Sequence, residues 1–201
     1  MDQEEIDLIK RQFKRHTGEG KQYSLVSNEV IERYKGQVMC DKDKFDIITY
    51  IWEEFGLCSY MDGLFSFVNP EEYNGIAKLF PEITENVIVF GRSACGGLFA
   101  LDTPSIGECI IYINPHKGTW EVIDTSMEIL LTFFIDDNDY WKDGCYGKVE
   151  LKVIKKHGPL EHDECYTFVP ALALGGSESV ATMEKVKIKE NLELLAQLHQ
   201  G

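Results

Sequence analysis

Apolar positions along the chain fall into runs of two periods, and the first part is helical. Ile6, Ile9 and Phe13 recur at i, i+3 and i+7 with charges between them, which predicts a helix over residues 2–15. The polar, glycine-containing stretch HTGEGKQ (16–22) reads as a connector. Ser27 suits an N-cap for a helix over 28–35, with Val30, Ile31 and Tyr34 on one side and Gly36 as its stop. Phe45, Ile48, Ile51, Trp52 and Phe55 repeat at helical spacing between Asp43 and Gly56, and these aromatics read as a core stripe.

After Gly63 the period shortens. Leu64–Val68 predicts a strand, and Asn69-Pro70 then opens a helix that buries Tyr73, Ile76, Ala77 and Phe80 before Pro81 blocks it. Residues 87–90, 98–101, 107–113 and 119–123 predict four strands in an antiparallel meander, separated by Gly and Pro signals. Residues 126–134 read as helical and DDND (136–139) as a solvated loop. Over 140–157 helical and alternating spacings compete, and a helix ended by Gly158-Pro159 is preferred. Residues 165–174 read as a strand interrupted at Pro170, and a last helix starts near Ser179 and carries Ile188, Leu192 and Leu195. The expected fold is α+β, a mainly antiparallel sheet packed by helices, with a helical N-terminal part and a C-terminal helix.

Charge changes the picture. The 201 residues hold 34 acids against 20 Lys and Arg, a net −14. Residues 1–44 and 148–201 are nearly balanced; the middle holds 17 acids against Lys78, Arg92, Lys117 and Lys142. Such a chain repels nucleic acid and anionic membrane, so neither is expected as a partner, and it attracts a cation. No apolar run reaches the ~18 residues that span a bilayer, and the first ten residues lack a basic leader. A cytoplasmic protein is expected. Its six cysteines contain no C-x-x-C pair and read as free thiols filling small gaps.

Local chemistry is sparse. Gly91–Gly97 is glycine-rich but lacks phosphate-loop spacing, so it reads as a turn between strands. Cys95 within it could serve as a nucleophile only if His116 or His157 reached its thiol. His157, His162, Asp163, Glu164 and Cys165 gather potential ligands, yet across a Gly-Pro turn rather than on one helix face. The DDND loop has Tyr140, Trp141 and Gly147 where a helix-loop-helix calcium site needs a ligand, a Gly and a Glu. Glu53-Glu54 and Glu71-Glu72 point about 100° apart on a helix and do not converge. No catalytic residue, metal site or cofactor is expected.

Two stretches resemble known families. MDGLFSFVNPEEY (61–73), followed by VIVFGRSACGGLFALD (87–102), resembles the GAD-like domain. GPLEHDECYTFVPALALGG (158–176) with ENLELLAQL (190–198) is similar to the C-terminal domain of the type VI secretion DNase-immunity family. The matching residues Gly63, Phe65, Asn69, Pro70, Tyr166, Pro170, Leu172, Gly175 and Gly176 are turn formers and core positions. Gly97 and Cys95 depart from the first pattern and read as structural. The resemblance implies a GAD-like domain over 1–118 and an immunity C-terminal domain over 119–201, packed separately or as one unit.

It also implies an immunity protein, not an enzyme, that binds and neutralises a cognate toxin, usually a nuclease. An acidic protein competes well for the cationic groove such a toxin presents to phosphate. Clustering nominates Asp136, Asp137, Asp139 and Asp143, with Glu161, Asp163 and Glu164, as partner-facing acids. An enzyme that reverses toxin damage and an acidic scaffold without a toxin are the alternatives.

Overall fold

The computed structural model describes residues 3–4, 7–8, 21–35, 42–102, 109–124 and 147–200. The expected helix over 126–134, the DDND loop, and most of the expected 2–15 helix and the 16–22 connector therefore lie outside the described residues.

Seven strands form one antiparallel sheet in chain order: β1 (Lys21–Gln22), β2 (Cys58–Tyr60), β3 (Phe65–Phe67), β4 (Ile88–Ser93), β5 (Leu98–Asp102), β6 (Cys109–Asn114) and β7 (Thr119–Asp124). Helices α1 (Asn28–Lys35) and α2 (Lys42–Glu54) precede β2, and α3 (Pro70–Ala77) joins β3 to β4. Helix α4 (Gly147–His157), the hairpin β8 (Glu164–Phe168) and β9 (Met183–Lys187), and helix α5 (Ile188–Leu198) complete the fold. The α+β expectation holds.

Both faces of the central sheet are buried. Phe90, Phe99, Leu101, Ile110 and Tyr112 pack with α1, α2 and α4, while Val89, Leu98, Ala100, Ile111 and Ile113 pack with α3 and α5. That double burial explains the near-continuous apolar runs: a strand covered on both sides needs no polar alternation, even in an antiparallel sheet. Two glycines let the layers close. A Cβ on Gly91 would lie 2.6 Å from the Phe65 ring across the β3–β4 pair, and one on Gly97 would overlap the Tyr112 ring.

Several features depart from expectation. Strands β1 and β2 were not anticipated, because two and three residues are too short to show a period. The β2–β3 turn holds Met61, Asp62 and Gly63 at φ of 51°, 59° and 92°, a left-handed stretch with two residues that carry a Cβ. The strand expected over 165–174 stops at Phe168, and Leu172–Leu174 is a 3-10 turn. The last helix starts at Ile188 rather than near Ser179; Ser179 instead caps a short 3-10 turn, accepting from the Ala181 N–H at 3.2 Å, and β9 intervenes.

Contacts run between the parts of the chain before and after residue 118. The Leu160 N–H donates to the Asp62 carbonyl at 3.1 Å, and the Tyr166 N–H to the Ala94 carbonyl at 2.8 Å. Val153, Tyr166 and Phe168 lie in the same buried cluster as Phe65 and Phe99.

Candidate functional site

Among the nominated acids, Glu161, Asp163 and Glu164 are described; Asp136, Asp137, Asp139 and Asp143 lie outside the described residues. The 161–164 turn owes its position to Gly158, whose φ of 88° and N–H bond to the Ile154 carbonyl (2.8 Å) end α4 in a left-handed cap. Leu160 then buries itself, and the chain doubles back: the Glu164 N–H donates to the Glu161 carbonyl at 3.1 Å, and the Glu161 N–H to a Glu164 carboxylate oxygen at 3.0 Å.

Beneath the turn lies Arg92, fully buried on β4. Its guanidinium donates to the carbonyls of Glu161 (3.3 Å), His162 (2.9 Å) and Ser93 (3.4 Å), while its Nε has no partner. Two carbonyls of one turn thus converge on a charge supplied by the sheet. A buried guanidinium tolerates loss of water only with such acceptors.

Above the turn, lysines from β9 meet the acids. Lys187 pairs with Asp163 and holds its carboxyl below the ordinary carboxylate range; Lys185 reaches Glu164 at 3.7 Å and the Pro159 carbonyl at 2.7 Å. The Ile188 N–H donates to the Asp163 carbonyl at 3.0 Å, tying the turn to the start of α5. Beside it opens a cleft of about 240 Å³ walled by Glu72, Tyr73, His162, Asp163, Lys187 and Lys189. Lys189 pairs with Glu72 and sits 5.8 Å over the Tyr73 ring. The turn is therefore rigid and partly neutralised, less anionic than its sequence.

The catalytic arrangement considered for Cys95 is not formed. Its thiol is fully buried, and burial, then Glu150, pushes it well above the ordinary thiol value. A thiolate nucleophile needs the reverse environment. His116 meets the carbonyl of Cys95 through Nε2 at 2.9 Å rather than its thiol, and His157 lies by the Tyr166 ring, 6.0 Å between centroids. Burial drives His116 down to about 4, so its ring is neutral at physiological pH. Among the described residues no three His, Cys, Asp or Glu side chains group as metal ligands, and no helix is long and apolar enough to cross a membrane.

Two buried charges stand where the sequence reading placed none: Arg92 and Glu150. Arg92 is one of only four cations in the 45–147 stretch and sits inside an apolar strand. Glu150 shares a helix face with Val153 and Ile154, at i+3 and i+4, where an acid should not stand. Both placements are visible in the sequence, but it is the packing that shows each charge to be enclosed.

Family comparison supplies the context. A family model described as T6SS immunity protein Tdi1, C-terminal, matches residues 128–199, and the GAD-like domain model matches residues 9–114. The crystal structure of Atu4351 from Agrobacterium tumefaciens is similar in fold: TM-score 0.71 at 22% identity, over 92% of this chain and 86% of that one. No curated protein matches. The chain thus belongs to the GAD-like family, and its C-terminal part carries the match to the immunity protein Tdi1 of type VI secretion.

Proposed function

We propose that the protein is a type VI secretion immunity protein that binds a cognate antibacterial toxin and neutralises it mole for mole. The match of residues 128–199 to the Tdi1 C-terminal family carries this reading. The net charge of −14 supports a cationic, nuclease-like toxin, whose phosphate-binding groove an acidic protein can compete for. Neutralisation then proceeds by occlusion in the cytoplasm, without turnover or cofactor, and neither nucleic acid nor membrane takes part.

The partner-facing acids are Asp136, Asp137, Asp139 and Asp143, joined by Glu161, Asp163 and Glu164. A turn fixed by Arg92 favours this assignment, because a preformed surface loses little conformational freedom on docking. Lys185 and Lys187 limit the field of the turn, so the turn sets register and the bulk acidity of the middle of the chain sets the encounter rate. Co-expression with the toxin-like gene beside its own tests the reading: cells survive when this protein is present and die when it is absent. Death in both cases removes the immunity assignment.

A further inference from the structure

We propose that Glu150 is a proton-operated latch: neutral, it docks helix α4 on the β4–β5 turn; ionised, it loosens that docking. The geometry is that of a carboxyl enclosed on every side. Glu150 is fully buried, and one of its oxygens accepts the Cys95 N–H at 2.9 Å. The Ser93 hydroxyl and the Cys95 thiol also hydrogen-bond the carboxyl, but Oε2 has no partner. Those hydrogen bonds favour the ionised form, but burial opposes it more strongly, because an enclosed charge loses far more hydration than a neutral carboxyl.

The surroundings hold little countercharge. Among the described residues, the one formal charge facing Glu150 is Arg92, and that guanidinium is committed to the carbonyls of Ser93, Glu161 and His162. Its attraction lowers the Glu150 value but is outweighed by burial, which pushes the carboxyl up to about 7. The remaining titratable groups around the turn are neutral near that pH. Cys95 is raised on the turn itself, Cys165 is raised to about 12 and Tyr166 is raised on β8, while His116 on the β6–β7 turn is lowered to about 4. On ionisation the proton passes to solvent, and a charge remains between α4 and β4 with no ion pair to hold it. The loosened element is α4, the segment that follows the candidate acids Asp136–Asp143 in the chain.

The test compares urea unfolding of the full chain and of Glu150→Gln from pH 6 to pH 8.5. A carboxyl near 7 when folded and near 4.5 when unfolded makes wild-type folding about tenfold less favourable over that span, relative to the variant. Hydrogen exchange of the α4 amides, corrected for intrinsic rate, should accelerate over the same range in wild type only. Equal pH slopes in the two proteins overturn the proposal. Should the variant fail to fold, the carboxyl ¹³C shift of Glu150 in the wild type decides: a midpoint near 7 supports the latch and one below about 5 overturns it.

Discussion

The amide of Cys95 donates to the carboxyl of Glu150 over 2.9 Å, linking positions 55 residues apart on opposite sides of the β6–β7 hairpin. One residue back, the Ala94 carbonyl accepts from Tyr166, and three residues back the Arg92 side chain reaches the carbonyls of the 161–164 turn. A single β4–β5 turn is thus the polar joint onto which the C-terminal segment docks.

Arg92→Met removes the charge that gathers the Glu161 and His162 carbonyls, taking a donor from each and leaving the Glu161 carbonyl only the Glu164 N–H. Destabilisation of about 1–3 kcal/mol is expected, the usual cost of taking the donor from a buried acceptor. Urea unfolding measures it. A loss below about 1 kcal/mol would mean that water replaces the guanidinium.

Gly97→Ala should destabilise by about 1–3 kcal/mol, since the added Cβ overlaps the Tyr112 ring across the β5–β6 pair. The clash is shared, so the double variant with Tyr112→Leu loses less than the two single losses added together. Strict additivity would show that the backbone, not the ring, opposes the side chain.

His116 gives an acid-side pH effect. The unfolded chain protonates this imidazole near 6.5, whereas the folded protein resists until about 4. Stability is therefore present above pH 6.5 and lost as pH falls towards 4, by up to about 3 kcal/mol. Glu150 acts in the opposite sense over part of this range, so the comparison is wild type against His116→Gln, and their gap should shrink on acidification. A constant gap would show the ring to be accessible to protons.

Asp163 is exposed and paired with the exposed Lys187, so Asp163→Asn should leave the urea midpoint unchanged. Against the cognate toxin it should slow association at low salt and lose that effect at high salt. Unchanged kinetics at low salt would remove Asp163 from the interface.

Long periodic elements were legible in the chain. Residues 28–35 coincide with α1, and Asn69 caps α3 as its type requires, accepting the Glu71 N–H at 3.0 Å. Strands β4–β6 announced themselves as apolar runs. The hairpin β8–β9 did not, because exposed β9 carries Glu184, Lys185 and Lys187, a charge pattern that suits a helix surface equally well. The site was half legible: clustered acids in the 161–164 turn were visible, but their neutralisation by Lys185 and Lys187 depends on a strand pairing between residues 15 to 23 positions apart. Arg92 and Glu150 were hidden for another reason. Sequence places charges on surfaces by default, and only tertiary packing shows which are enclosed.

The central claim is neutralisation by occupancy, and titrating the purified protein into a fixed amount of its toxin tests it most directly. Residual toxin activity should fall linearly and reach zero at one equivalent. Full protection at a small fraction of an equivalent would contradict the account and mark the protein as an enzyme that turns over.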